Sequence, residues 1–173
     1  MHVLRRADQP SVPWKNGLGI TYEVARSEGA DFDWRLSFAE VERPGPFSSF
    51  PGVDRIITLA AGEQLALTMP GGDVHVLWPY EPFAFPGEAE VHGDPSGSTI
   101  NLNVMTRRGR ATAAVACQRI AGEENVHGAD FLAVLDGSLA VDGVVLGPRD
   151  VVCDPSDGLT VTGNGVVAVV SIS

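Results

Sequence analysis

The chain is poor in the features that announce the simpler functions. None of its 173 residues falls in an apolar run approaching the roughly 20 needed for a membrane-spanning helix. The opening MHVLRRADQP carries two arginines with no apolar stretch behind them, so no signal peptide is expected. Positive charge is scarce: Lys and Arg total 12 against 22 Asp and Glu, a formal net charge of −10. Such a balance argues against general nucleic-acid binding, which needs clustered cations, and against attraction to an anionic membrane surface. A cytoplasmic protein is the expectation. There are only two cysteines, Cys117 and Cys153, with no His or Cys at ligand spacing beside either. They read as small apolar residues in a reducing compartment rather than as a disulfide. The four histidines (His2, His75, His92, His127) are scattered, and lysine occurs once, as Lys15, in the most distinctive segment of the chain.

What is abundant is punctuation. Twenty glycines and 12 prolines break the chain into short stretches, and these alternate apolar with polar residues. Gly19–Val24, Trp34–Ala39, Arg55–Leu59, Gln64–Met69 and Ile100–Met105 all show the period of a half-buried strand. From Phe131 onward the spacing predicts short strands joined by tight turns at Asp136-Gly137, Asp142-Gly143 and Gly163-Asn164-Gly165. Paired prolines (Pro10 and Pro13, Pro44 and Pro46, Pro79 and Pro82) exclude helix from the gaps. The fold class is all-β, a barrel or sandwich.

No linker or low-complexity tract divides the chain, but a soft duplication does. Asp54-Arg55 leads an apolar strand to the turn at Gly62, and Asp130-Phe131 leads another to Gly137. Strand, Gly turn, strand, Gly-x-x-Asp turn, strand, Pro resembles the grammar of a cupin barrel. Two such halves, approximately 1–115 and 116–173, predict a compact bicupin. Many cupins hold a metal through His and Glu. The equivalent places are occupied by Arg55, Pro51 and Ser49 in one half and by Asp130, Val126 and Glu124 in the other. Neither set supplies the imidazoles a divalent transition metal needs, so no metal and no other cofactor is expected. No nucleophile elbow is present, and Lys15-Asn16-Gly17-Leu18-Gly19 lacks the ending and helix of a phosphate loop.

Four polar segments remain amid apolar strands. Trp14-Lys15-Asn16-Gly17 enters a strand that places Thr21 and Glu23 on one face. Arg35 and Ser37 share a face of Trp34–Ala39. Gly45–Arg55 is a stiff, turn-rich loop with Phe47 and Phe50, and Asn101, Asn103 and Thr106 fall on strand faces in the segment from Asn101 to Gly109. Each is accounted for by solvation, or by an ion pair of Arg35 with Asp54 or Glu23. Converging inside a barrel, they would instead suit a small carboxylate, for which Arg supplies a planar fork of donors.

These segments, W-K-N-G-x-G-x-T-x-E, F-D-W-R-L-S-x-A-x-V, G-P-F-S-S-F-P-G-V-D-R and N-V-M-T-R-R-G, resemble in order those of the HutD/Ves family of bicupins, across roughly residues 10–110. Two positions depart from the family pattern. Leu18 stands where a Gly is expected, and Asn101 where an acid is expected. The resemblance implies a metal-poor, dimeric bicupin associated with histidine utilisation in bacteria, limiting that pathway by binding one of its metabolites. Carried over by position, Lys15, Asn16, Thr21, Glu23, Arg35, Ser37, Arg55 and Asn103 would contact the ligand. Trp14, Phe47 and Phe50 would shape the walls, and Arg107 and Arg108 would be surface or dimer-contact residues.

Three functional readings follow. The first is a non-catalytic regulator that senses an acidic metabolite, urocanate or a formyl- or formimino-glutamate. The second is a cupin isomerase, hydrolase or dioxygenase acting on a small carboxylate, with Glu23 or Asp54 as acid or base. In the third, the surface rather than the pocket does the work by binding another protein.

Overall fold

The computed structural model describes residues 1–173 and contains sixteen strands and no α-helix. β1 (His2–Leu4) and one 3-10 turn (Arg6–Asp8) open the chain. The larger of two compact units, Pro10–Thr112, holds β2 (Ser11–Pro13), β3 (Gly19–Arg26), β4 (Trp34–Val41), β5 (Gly45–Pro46), β6 (Val53–Ala61), β7 (Leu65–Thr68), β8 (Val74–Leu77), β9 (Phe83–Pro86), β10 (His92–Pro95) and β11 (Thr99–Arg107). The smaller joins Met1–Gln9 to β12 (Ala113–Val126), β13 (Phe131–Val141), β14 (Val144–Leu146), β15 (Val151–Cys153) and β16 (Leu159–Ile172). Both units have the cupin-like, antiparallel build read from the punctuation.

In the larger unit a six-stranded sheet in the order β2-β3-β4-β11-β6-β9 is accompanied by a four-stranded sheet, β5-β10-β7-β8. Ile57, Leu59, Leu65, Leu67, Leu77 and Phe85 from the two sheets pack into one core with Val91, just before β10. Strand pairing sets three adjacent rows on one face of the larger sheet. They run Thr21–Ala39–Asn101–Leu59, then Glu23–Ser37–Asn103–Ile57–Phe83, then Arg35–Met105–Arg55–Phe85. Directly paired residues point to the same side, so polar and apolar side chains share this face.

The smaller unit is a sheet in the order β1-β15-β13-β16-β12, with β14 folded back on β13. Residues 1–9, expected in the first half, belong here because β1 completes the edge through the pairs His2–Cys153, Val3–Val152 and Leu4–Val151. The turn at Asp142-Gly143 forms as expected, with φ of 49° and 78°, and joins β13 to β14. The other two expected turns do not form. Asp136-Gly137 is a bulge inside a continuous β13, and Gly163-Asn164-Gly165 lies inside a continuous β16. The glycines serve close approach of two backbones: a Cβ on Gly137 would overlap the Asn164 carbonyl, and one on Gly163 the Ser138 carbonyl. Cys153 is buried, Cys117 half-buried, and both are free; burial pushes each thiol up to about 11.

One carboxylate fastens the opening residues to the smaller unit. Asp150 accepts from the Arg6 amide at 2.9 Å, the Gly147 amide at 3.1 Å and the Arg5 guanidinium at 2.8 Å. Burial opposes ionisation, but these hydrogen bonds and the Arg5 charge outweigh it and hold the carboxyl below its ordinary range. Its stabilising contribution is complete above an unfolded value of about 3.9 and fades as the pH falls through the lower folded value. Asp150→Ala should destabilise the unit by about 1–3 kcal/mol at neutral pH. A lower urea midpoint, with faster amide exchange at Val3 and Leu4, is the expected observation.

Candidate functional site

The site begins with a turn that only its own sequence can make. Gly17 adopts φ of 71°, its amide donates to the Trp14 carbonyl at 3.0 Å, and the Leu18 amide donates to Asn16 Oδ1 at 3.1 Å. The Trp14 amide then donates to the Gly19 carbonyl at 2.9 Å. Gly19 has no side chain to obstruct the indole: a Cβ there would lie 3.1 Å from Trp14 Cδ2 and overlap the Glu40 carbonyl. The indole settles on the strand and donates from Nε1 to Thr21 Oγ1 at 2.8 Å. Its edge meets Phe47, with ring centroids 6.2 Å apart.

Phe47 and Phe50 lie on the segment between β5 and β6. The Phe47 amide donates to the Val91 carbonyl at 2.9 Å, and the Phe50 amide to the Gly87 carbonyl at 2.8 Å. These bonds hold two phenyl rings beside Arg55. A third, Phe85, comes from β9 directly opposite Arg55. The guanidinium carbon lies 5.6, 5.4 and 4.9 Å from the Phe47, Phe50 and Phe85 centroids. Each distance is within range of attraction between a cation and a ring face.

Arg55 is 6% exposed, and no carboxylate pairs with it. Nη2 donates to Asn103 Oδ1 at 2.9 Å and Nη1 to the Ser48 carbonyl at 3.4 Å, while Nε has no partner. Burial, and then the positive charge of Arg35, lower its pKa to about 10. Arg35 differs in having a counterion, with Nε donating to Glu23 Oε2 at 2.8 Å. The pair of arginines with one glutamate leaves a local excess of one positive charge.

A recess of about 50 Å³ adjoins these groups, lined by Trp14, Thr21, Arg35, Ser37, Ala39, Phe47, Ser48, Phe50, Arg55, Asn103 and Met105. An outer cavity of about 440 Å³ shares Trp14, Thr21, Arg35 and Ser48 with it and adds Val12, Pro13, Lys15 and Asn16. Of the residues expected to contact a ligand, Thr21, Arg35, Ser37, Arg55 and Asn103 line the recess, with all three expected walls. Lys15 and Asn16 line only the outer cavity, and Asn16 spends its carbonyl oxygen on its own turn. Glu23 lines neither and pairs with Arg35. Asp54 is exposed and pairs with Arg108 at 2.6 Å, outside both cavities, so neither proposed acid or base lines the recess. Arg108 also holds Glu88 at 2.8 Å, and Arg107 covers Phe32.

Asn101, fully buried, donates to Thr99 Oγ1 at 3.2 Å and leaves Oδ1 without a partner. Leu18 fills the space left by the missing side chain of Gly45. Ala39, Ser48, Met105 and Phe85 were not among the residues expected at the site. Ala39 and Met105 were recoverable, being in strand phase with Ser37 and Asn103. Ser48 lies in a quoted motif, but Phe85 depends on the β6–β9 pairing. The four histidines are all exposed, and no three His, Cys, Asp or Glu side chains gather as a metal site.

The fold and this face together define a bicupin in which arginine, asparagine and phenylalanine occupy the barrel interior. The HutD family model matches residues 6–169. The chain belongs to the HutD family. A conserved protein of unknown function from Pseudomonas aeruginosa PAO1 superposes with a TM-score of 0.85 at 31% identity, covering 99% of this chain and 98% of that one. HutD from Pseudomonas fluorescens SBW25, solved in a formate condition, does so with a TM-score of 0.81 at 32% identity and the same coverages. An uncharacterized 21.2 kDa protein in the hutC 3′ region of Pseudomonas putida is 41% identical over 117 residues, 64% of this chain and 62% of its own length. The match thus spans less than two thirds of that curated relative.

Gly19→Ala should lift Trp14 from the strand and break its bond to Thr21. The expected signature is an upfield shift of one indole N–H resonance out of three, Trp34 and Trp78 being unmoved.

Proposed function

We propose that the recess binds the carboxylate of a small metabolite and that the protein acts by binding, without chemical turnover. The observation that carries this reading is Arg55: a guanidinium 6% exposed, with no carboxylate partner and an unused Nε, beside an open recess. Burying an unpaired charge is costly, and three phenyl faces with two hydrogen-bond acceptors recover only part of that cost. A carboxylate in the recess would complete the site. It would take the remaining N–H donors of the Arg55 terminal nitrogens, feel the second charge on Arg35, and be oriented by Ser37 and Asn103. The inner volume suits a carboxylate head and the outer cavity the body of the molecule.

Urocanate and formyl- or formimino-glutamate are the ligands we favour, and regulation of histidine breakdown is the role. Membership of the HutD family supports this reading, as does the curated relative in the hutC 3′ region. A homodimer in the cytoplasm, engaging neither nucleic acid nor membrane, is the proposed setting.

The direct test is a thermal-shift and calorimetric titration with formate, acetate, urocanate, N-formylglutamate, formiminoglutamate and histidine. Arg55→Met should weaken the binding of a carboxylate ligand by about 10–100-fold, the value of a charge-assisted hydrogen bond. The ligand-free variant should be no less stable than the parent, and more stable by up to about 4 kcal/mol, because the unpaired buried charge is gone. Absence of binding to any member of the panel, or full binding by Arg55→Met, would remove this reading.

The pH dependence has a defined sign. The anion needs the protonated guanidinium and its own ionised carboxylate, so affinity should be flat between neutral pH and about 10, the value for Arg55, and fall about tenfold per pH unit above it. Above that value, and up to the higher ordinary arginine value, the unfolded chain holds more protons than the folded one, so the ligand-free protein gains stability from this group as the pH rises above about 10.

A further inference from the structure

A bare sheet edge invites another strand, and most edges in this protein are guarded by proline or charge. In the larger unit β2, β5 and β9 are edge strands, and they carry Pro13, Pro46 and Pro86. In the smaller unit β12 bears Arg119, Glu123 and Glu124. There β1 runs directly into Arg5, which donates to the Val145 carbonyl of β14 at 2.7 Å. β8 is the exception. It ends the four-stranded sheet, pairs only with β7, and its sequence Val74-His75-Val76-Leu77 holds no Pro, Asp, Glu, Lys or Arg. Leu65, Leu67 and Leu77 turn inward to the core, so Val74 and Val76 lie on the outward face. Val74 is 60% exposed, Val76 is half-buried, and Trp78, next in strand phase, is 50% exposed.

The hydrogen-bond phase of this edge is fixed. The Met69 amide donates to the Asp73 carbonyl directly opposite at 2.7 Å, so the bonded pairs along the hairpin are Met69–Asp73, Leu67–His75 and Leu65–Leu77. The N–H and C=O groups of Val74 and Val76 therefore point away from β7, toward the open edge. We propose that this edge is an interface with a second copy of the same chain, the two β8 strands running antiparallel about a two-fold axis at Val76. This rests on the homodimer proposed above and gives it a surface, a register and an axis. Val76 exchanges both main-chain bonds with its counterpart in the second copy, and Val74 meets Trp78 on either side of the axis. The two four-stranded sheets become one, and Val74, Val76 and Trp78 of both copies cluster on its outward face. An axis at His75 would instead set Asp73 opposite Leu77. With the axis at Val76, Asp73 falls opposite Pro79, outside the cluster, and Pro79 is in the phase that owes the second copy no N–H. Charge supports the choice of occupant. Two copies at a net charge of −10 repel each other, and this uncharged strand is where they meet at least electrostatic cost.

Analytical ultracentrifugation of the full chain over a range of concentrations, with amide exchange on the same samples, tests this. The parent protein should be a dimer in which the Val74 and Val76 amides are protected, although no bond within one copy protects them. Val76→Lys sets two like charges on the axis and should raise the dimer dissociation constant about tenfold or more, as should Val76→Glu. An equimolar mixture of these two variants should associate again, because opposite charges then meet on the axis. Val74→Lys, at a position already 60% exposed, should weaken the dimer while keeping the parent's far-UV circular dichroism, so the test survives a failure of the Val76 variants to fold. Undiminished association of both lysine variants, free exchange at Val74 and Val76 in a parent dimer, or no recovery in the mixture would overturn the β8 interface and leave the homodimer standing. A parent protein monomeric at every concentration would overturn both.

Discussion

A single guanidinium organises the larger unit. Arg55 lies near the middle of a sheet whose surrounding face is filled by Ile57, Leu59 and Phe85, and an ion in that position is expensive to keep. Much of the nearby architecture mitigates that expense. The segment carrying Phe47 and Phe50 is pinned to Val91 and Gly87, and β9 pairs with β6 so that Phe85 covers Arg55 from a further direction. Asn103 arrives on β11 with its carbonyl oxygen turned to Nη2. No carboxylate is recruited, although Glu23 stands one row away. Had Glu23 paired with Arg55, the unpaired charge would fall on the less buried Arg35 instead. Its pairing with Arg35 leaves the deepest cation without a counterion.

The same reasoning explains the division between inner and outer surfaces. The chain is strongly acidic overall, yet its recess is cationic. A local positive field inside an acidic protein does not attract polyanions such as nucleic acids over long distances, because the net charge repels them. A small anion that reaches the mouth meets a short-range, desolvated attraction instead. On the proposed reading, selectivity for small anions would come from geometry and burial, with the surface charge acting as a filter.

The sequence disclosed more of this site than of the smaller unit. The distinctive segments around Trp14, Arg35, Phe47–Arg55 and Asn103 lie on strands whose period of two places their polar members on one face. The structure brings five of the eight expected contact residues to the recess. Where the reading erred, the cause was local. Asp54 and Arg55 are adjacent and face opposite sides, so Asp54 could not share the recess with its neighbour. Asp136-Gly137 and Gly163-Asn164-Gly165 carry strong turn chemistry, but their glycines are needed where β13 and β16 run too close for a Cβ. Turn propensity is a local signal, and it yielded to a contact between strands.

By itself the sequence determined the all-β class, the cupin-like rhythm, the absence of a cupin histidine set, and the side each strand residue faces. Those properties depend on a period of two and on residue types within a few positions, which a linear reading resolves. Tertiary structure decided which groups meet. Arg55 and Asn103 are 48 residues apart, and their bond at 2.9 Å depends on the register of β6 on β11. Whether Arg35 took Glu23 or Asp54, whether a third phenyl ring reached Arg55, and whether residues 1–9 joined the second unit all depended on strand partners. Partner choice is fixed by the simultaneous burial of many apolar side chains, and no local stretch of sequence contains that sum.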